Sequence, residues 1–216
     1  MGVVCTMSAV VRFATGVVFV VVFSVNAVLA GDFEDAREAY NRHDYALALR
    51  LFRPLADKGN ADAQAFLGLM YDIGDGVPQD SVASANWYRK AADQGQPLAQ
   101  FQLGLCYFSG NGVKQDFAEA ANWYRRAAEQ GNDGAQDALG GMYAHGWGVP
   151  KDLSEAANWY RKAADQGNDD AQVSLGQAYE LGQGVSQNNV SAFMWFGLQL
   201  IKTTRMQPVT GTNSPR

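Results

Sequence analysis

Gly59, Gly95, Gly131 and Gly167 are spaced 36 residues apart, and four copies of the intervening sequence follow one another with no insertion or deletion. A fixed period of this length predicts a solenoid, in which each unit buries its apolar face against the next. The expected fold is therefore all-α, one continuous stack of antiparallel helix pairs. Repeating a unit extends a surface but does not converge groups on one atom, so the period favours binding over catalysis.

The four copies can be aligned on each other. Their fifth, sixth, ninth, tenth and thirteenth positions are identical, as in Ala63, Gln64, Leu67, Gly68 and Tyr71 of the first copy. Ala, Leu and Tyr four residues apart trace one helical face, and the tenth-position glycine is expected to let a second backbone approach. This helix A ends at Gly-x-Gly-Val (Gly74, Gly76 and Val77 in the first copy), whose first glycine suits a left-handed C-terminal position. Asp80, Asp116, Asp152 and Asn188 then fit the N-cap of a helix B, and Glu119 and Glu155, three residues on, resemble the second arm of a capping box. Helix B carries Ala-Asn-Trp-Tyr in three copies, with Trp87, Trp123 and Trp159.

The expected division is a divergent capping helix pair over 31–58, repeats over 59–94, 95–130, 131–166 and 167–202, and a disordered tail over 203–216. In the capping pair Asp44 stands 36 residues before Asp80, Ala36 to Arg42 and Ala46 to Leu55 are the expected helices, and Pro54 is expected to kink the second. No helix A follows the last repeat, so the face of Phe193, Trp195 and Leu198 is expected to be partly uncovered and open to a partner or a second copy.

Residues 1–30 are of another kind. They hold one charge, Arg12, then the apolar run Phe13 to Phe23, then Val28-Leu29-Ala30. That is the pattern of a cleavable export signal, cut near Ala30, with an uncleaved membrane anchor as the alternative. Export places the chain in a periplasm or outside the cell. The remainder has 16 basic and 22 acidic residues, net −6, a poor match for nucleic acid, and membrane contact is expected only through an uncleaved signal. Of the two cysteines only Cys106 lies beyond the signal. It stands where other copies have Met70, Met142 and Ala178, and is expected in the core.

The series A-Q-x-x-L-G-x-x-Y, G-x-G-V, D and A-x-x-W-Y-x-x-A-A resembles the Sel-1-like repeat, a relative of the tetratricopeptide repeat. The likeness is close over Gly59 to Lys202 and loose over Asp32 to Lys58. It implies a right-handed superhelix serving as a protein–protein scaffold, with exported bacterial members acting in envelope processes, host interaction and signalling. One branch, labelled β-lactamase-like, has a disulfide in each repeat. This chain lacks those cysteines, so a hydrolase is the disfavoured alternative, beside a regulator of an envelope or polysaccharide assembly system.

No catalytic constellation, cofactor or metal site is expected from the residues. His43 and His145 have no partner at ligand spacing, and no Ser is followed three residues later by Lys. Asp72, Asp75 and Asp80 do not match the alternating ligands of a calcium loop. The basic pairs Arg89/Lys90, Arg125/Arg126 and Arg161/Lys162 recur at the period, and each first Arg has an acid four residues on (Asp93, Glu129, Asp165). They are read as a solvated face with local ion pairs.

Binding residues are expected where the copies differ. On helix A these are the seventh, eighth, eleventh, fourteenth and fifteenth positions, which by resemblance to tetratricopeptide units face a concave groove. The candidate partner-binding residues are Phe66, Leu69, Ile73, Phe101, Leu105, Phe108 and Trp147. Phe101, Leu105 and Phe108 are the expected anchors for a protein or peptide, with packing of the two rings against a neighbouring helix as the alternative. Trp147 is expected either as an anchor at the groove edge or as a lid on its own turn.

Overall fold

A computed structural model describes the backbone of residues 9–12, 18–21 and 25–206, and the side chains of residues 32–197. Two short strands, β1 (Ala9–Arg12) and β2 (Val18–Val21), pair antiparallel with Ala9 opposite Val21. All that follows is helical. The chain runs through α1 (Val25–Asn41), α2 (Tyr45–Asp57), α3 (Ala61–Ile73), α4 (Ser81–Asp93), α5 (Pro97–Ser109), α6 (Phe117–Glu129), α7 (Asp133–His145), α8 (Leu153–Asp165), α9 (Asp169–Leu181) and α10 (Asn189–Met206). From α1 onward each helix packs mainly on its neighbours in sequence, as a solenoid requires.

The expected signal falls partly outside the described residues, as do 207–216 of the expected tail. Helix α1 spans the expected cleavage position, and α10 extends to Met206, beyond the start of the expected tail. Helix α2 continues through Pro54 to Asp57, and its N-cap is Asp44, which accepts from the Leu47 amide. His43, at φ 64°, turns the chain between α1 and α2 where the full repeats use glycines.

Local chemistry sets the helix bounds. Asp80, Asp116, Asp152 and Asn188 each accept two amides of the helix they open. The reciprocal arm of a capping box is not formed. The amide of each cap residue donates instead to the carbonyl of Tyr71, Tyr107, Tyr143 or Tyr179, at 2.9 Å, tying each helix B start to the helix A before it. Glu155 accepts from Trp159 Nε1 at 2.9 Å. Helix A also has caps, Asn60, Gln96, Asn132 and Asn168 at the second repeat position. Its end is a left-handed glycine, as expected, at Gly74, Gly110, Gly146 and Gly182.

The tenth-position glycine has a different purpose from the one expected. It makes room for an aromatic ring, not a second backbone. A Cβ added at Gly68, Gly104 or Gly140 would overlap the ring of Tyr88, Tyr124 or Tyr160, and at Gly176 that of Phe196. The core lies along these A–B contacts, with Leu67, Leu103, Leu139 and Leu175 fully buried. Trp123 and Trp159 are buried, and Trp87 is half-buried. Cys106 is buried, and burial pushes its thiol up to about 11, in keeping with a core residue.

The invariant glutamine is the polar link between repeats. Gln64, Gln100, Gln136 and Gln172 are buried, and each Nε2 donates to a carbonyl eight residues back, at the end of the preceding helix B. The Oε1 atoms of Gln64, Gln100 and Gln136 accept from Gln94, Gln130 and Gln166 at 2.7, 2.7 and 2.8 Å. Position 202 holds Lys in place of the next glutamine, and Gln172 Oε1 is buried without a partner among the described residues.

The basic ladder is solvated only in part: Lys90, Arg126 and Lys162 are exposed, as expected, but Arg89, Arg125 and Arg161 are half-buried and bond across the repeat boundary. Arg89 donates to the Tyr107 hydroxyl, and Arg125 and Arg161 donate to Tyr143 and Tyr179 at 2.9 and 2.6 Å. The second basic residue lies over a tryptophan ring of its own helix: Lys90 over Trp87, Arg126 over Trp123, Lys162 over Trp159. Among the described residues none of the three arginines pairs with the acid four residues on.

Candidate functional site

Helix A side chains that differ between copies line three depressions along one side of the stack. The first, about 380 Å³, is bounded by Phe33, Ala65, Phe66, Leu69, Leu98 and Gln102. The second, about 260 Å³, is bounded by Leu105, Phe108, Asp137, Gly141, Trp147 and Tyr160 among others. The third, about 390 Å³, includes Ala144, His145, Ser174, Gln177 and Gln183. Tyr160 and Ser174 line both the second and the third, so these two adjoin.

The expected binding residues divide by how freely they stand. Leu105 is 38% exposed and Ile73 56% exposed, and Leu69 is half-buried at the first depression. Phe66 is held by neighbours: its ring stacks on Phe52 at 4.7 Å and meets Phe33 and Tyr40 edge-on. Phe101 is half-buried, 5.8 Å from Tyr124 and against Gly134 of the next repeat. Phe108 is half-buried with Phe117 at 5.3 Å and Trp147 at 5.5 Å. Leu105, Phe108 and Trp147 come together at the second depression, whereas Phe101 is not among the residues that line it.

Trp147 packs on its own turn and also borders the second depression. It is 41% exposed, its ring stacks on His145 at 4.3 Å, and it lies 6.1 Å from Phe117 of the preceding repeat. His145 Nδ1 in turn is 2.8 Å from the Gly141 carbonyl oxygen.

Two further features of the second depression lie outside the expected anchors, although Asp137 stands at one of the variable helix A positions. Tyr124 and Tyr160 reach its floor from helix B, although they belong to the stacking residues shared by three of the four copies. Asp137 is a half-buried carboxyl pushed up to about 6 by burial, then by Asp170 and Asp133. The Tyr160 hydroxyl, beside Asp137 and Ser174, is pushed up to about 12, mainly by burial. The signal for Asp137 was its place at a seventh position otherwise filled by Ala65, Phe101 and Val173.

Among the described residues no group of three or more His, Cys, Asp or Glu is placed to hold a metal ion. Asp75 accepts from the Tyr40 hydroxyl at 2.8 Å and Asp80 caps α4, which occupies two of the three acids weighed for calcium. No described helix is long and apolar enough to cross a membrane. At the far end Phe193 is 79% exposed, Trp195 is half-buried against the last core cluster, and the Leu198 side chain lies outside the described residues.

Comparison with known proteins agrees with this architecture. The Sel1 repeat profile matches residues 41–60, 61–96, 97–132, 134–168 and 169–198, so the capping pair is itself in part a repeat. The chain is 40% identical to a protective antigen of uropathogenic Escherichia coli that displays an SLR fold. That match covers 81% of this chain and 38% of the antigen, with a TM-score of 0.77. It is 35% identical to a Sel1 repeat protein from Oxalobacter formigenes, over 79% of this chain and 70% of that one, with a TM-score of 0.74. No curated protein matches at a significant level. With the repeat profile covering most of its length, the chain belongs to the Sel1 repeat family.

Proposed function

We propose that this chain is a non-catalytic scaffold of the bacterial cell envelope that holds a protein or peptide partner along its helix A face. Sel1 repeat proteins in general mediate protein–protein interaction. The observation that carries the specific reading is the segregation of invariant from variable residues. Most residues identical in all copies pack between helices, although Tyr71 also lines a depression beside α2, while variable Leu69, Gln102, Leu105, Gly141, Ser174 and Gln177 line the three depressions along helix A. Export is part of this proposal: the pattern of residues 1–30 supports it, as does the description of the Escherichia coli relative as a protective antigen.

Site-specific photocrosslinking in the producing cell tests the groove. A crosslinking residue at Leu69 or Leu105 is expected to trap the same partner, and one at the exposed helix B positions Asn122 or Asn158 is expected to trap none. Trapping only from helix B would overturn the groove. Intact mass of the fractionated protein tests export: a species starting at Gly31 supports it, and an uncleaved cytoplasmic species refutes it.

A further inference from the structure

Adjacent helices A meet at the seventh position of one and the fourth position of the next. At the first such seam Ala65 and Leu98 border one depression. At the second, Phe101 fills the space left by Gly134, where an added Cβ would lie 3.2 Å from the ring. Both seams are apolar. The third seam breaks this pattern with Asp137, which feels the charges of Asp170 from the next helix A and Asp133 from its own.

Asp137 opens into the second depression, and its Oδ1 is shielded from solvent with no hydrogen-bond partner among the described residues. It takes part in no ion pair among them either. A carboxylate partly withdrawn from water without a partner is costly, and a cation held beside it in the depression would offset part of that cost. The surroundings suit a cation on an apolar stem. Leu105, Phe108 and Trp147 offer hydrocarbon and aromatic contact, and the rings of Tyr124 and Tyr160 line the floor. The volume of about 260 Å³ admits one long side chain but not a whole helix. Although raised to about 6, the carboxyl is mostly ionised at neutral pH.

We propose that the second depression is a socket for a lysine or arginine side chain of the partner polypeptide, with Asp137 as counter-ion and Leu105, Phe108 and Trp147 as walls for its stem. This rests on the groove reading above and names the chemistry that would be recognised there. It makes the interaction a basic anchor on an acidic scaffold, so the preferred partner segment carries an isolated basic residue among small neighbours.

The probe is an acetylated, amidated pentapeptide with a central lysine flanked by alanines, titrated into the full chain at neutral pH. The Trp147 indole N–H resonance is the readout, and the neutral control has norleucine in place of lysine. The expected result is a saturable shift with the lysine peptide, with the norleucine peptide at least about tenfold weaker. Asp137→Asn is expected to weaken the lysine peptide by at least about tenfold without lowering the melting temperature, and Trp147→Ala to weaken it while leaving the preference for charge. Equal binding of the two peptides, unchanged binding by Asp137→Asn, or no saturable shift would each overturn the socket. The groove reading fails separately. If Asp137→Asn still crosslinks the partner from Leu105, the socket is wrong and the groove stands; if wild type crosslinks from helix B alone, the groove itself is wrong.

Discussion

The ring of Tyr124 occupies the space that a side chain on Gly104 would need: an added Cβ would lie 2.5 Å from Cδ1. The ring is buried and would have to shift, so Gly104→Ala is expected to destabilise the chain by about 1–3 kcal/mol despite the better helix propensity of alanine. Gly197 has nothing within 4 Å of an added Cβ, so Gly197→Ala is expected to be neutral or stabilising. Urea unfolding of the two variants makes the comparison.

The glutamine ladder predicts a gradient along the stack. Gln100→Leu removes a donor to Ala92 and the acceptor of Gln130, and is expected to cost about 1–3 kcal/mol. Gln172→Leu is expected to cost less, because its Oε1 is already without a partner among the described residues. Equal losses in denaturant unfolding would mean that the shared amide contact contributes nothing.

The Arg125–Tyr143 contact is expected to couple across the repeat boundary. A double-mutant cycle with Arg125→Ala and Tyr143→Phe should give about 1 kcal/mol, little changed by high salt because the acceptor is neutral. The corresponding cycle with Glu129→Ala should give close to zero. A salt-sensitive Arg125–Glu129 coupling would restore the local ion pair.

Asp137 predicts a pH dependence of stability. Its carboxyl rises from 3.8 to about 6 on folding, through burial, Asp170 and Asp133, with the neutral Tyr160 hydroxyl alongside. The folded state therefore binds the proton more tightly. The stability is fully present below the unfolded value and is lost as pH rises through about 6. A shift of this size would be about 3 kcal/mol, reduced to roughly 1–2 kcal/mol because the residue remains partly open to solvent. Asp137→Asn is expected to be the more stable by that amount above neutrality, with the gap closing towards about pH 4. Parallel melting curves across that range would expose a carboxyl that is not perturbed.

Much of the architecture was legible because repetition supplied an internal alignment. The period, the left-handed Gly74 and its equivalents, and the Asp80-type caps all follow from rules acting within a few residues along the chain. The site was legible only in outline. Variable helix A positions marked the lined side, and Leu105, Phe108 and Trp147 do gather there, but Phe66 and Phe101 are held by neighbouring rings. Aromatic residues at helical spacing look alike in sequence whether a neighbour covers them or not.

The sequence alone therefore determined the unit, its two helices, its turn and the order of stacking. The tertiary structure decided what the recurring residues are for. Gly68 makes room for Tyr88, Arg125 reaches Tyr143 across 18 residues, and Gln130 reaches Gln100 across 30. It also decided that Asp137 faces the charge of Asp170 beside an apolar depression. The reason is physical: backbone conformation depends on near neighbours, whereas burial, charge and pairing depend on which helix the stack brings alongside.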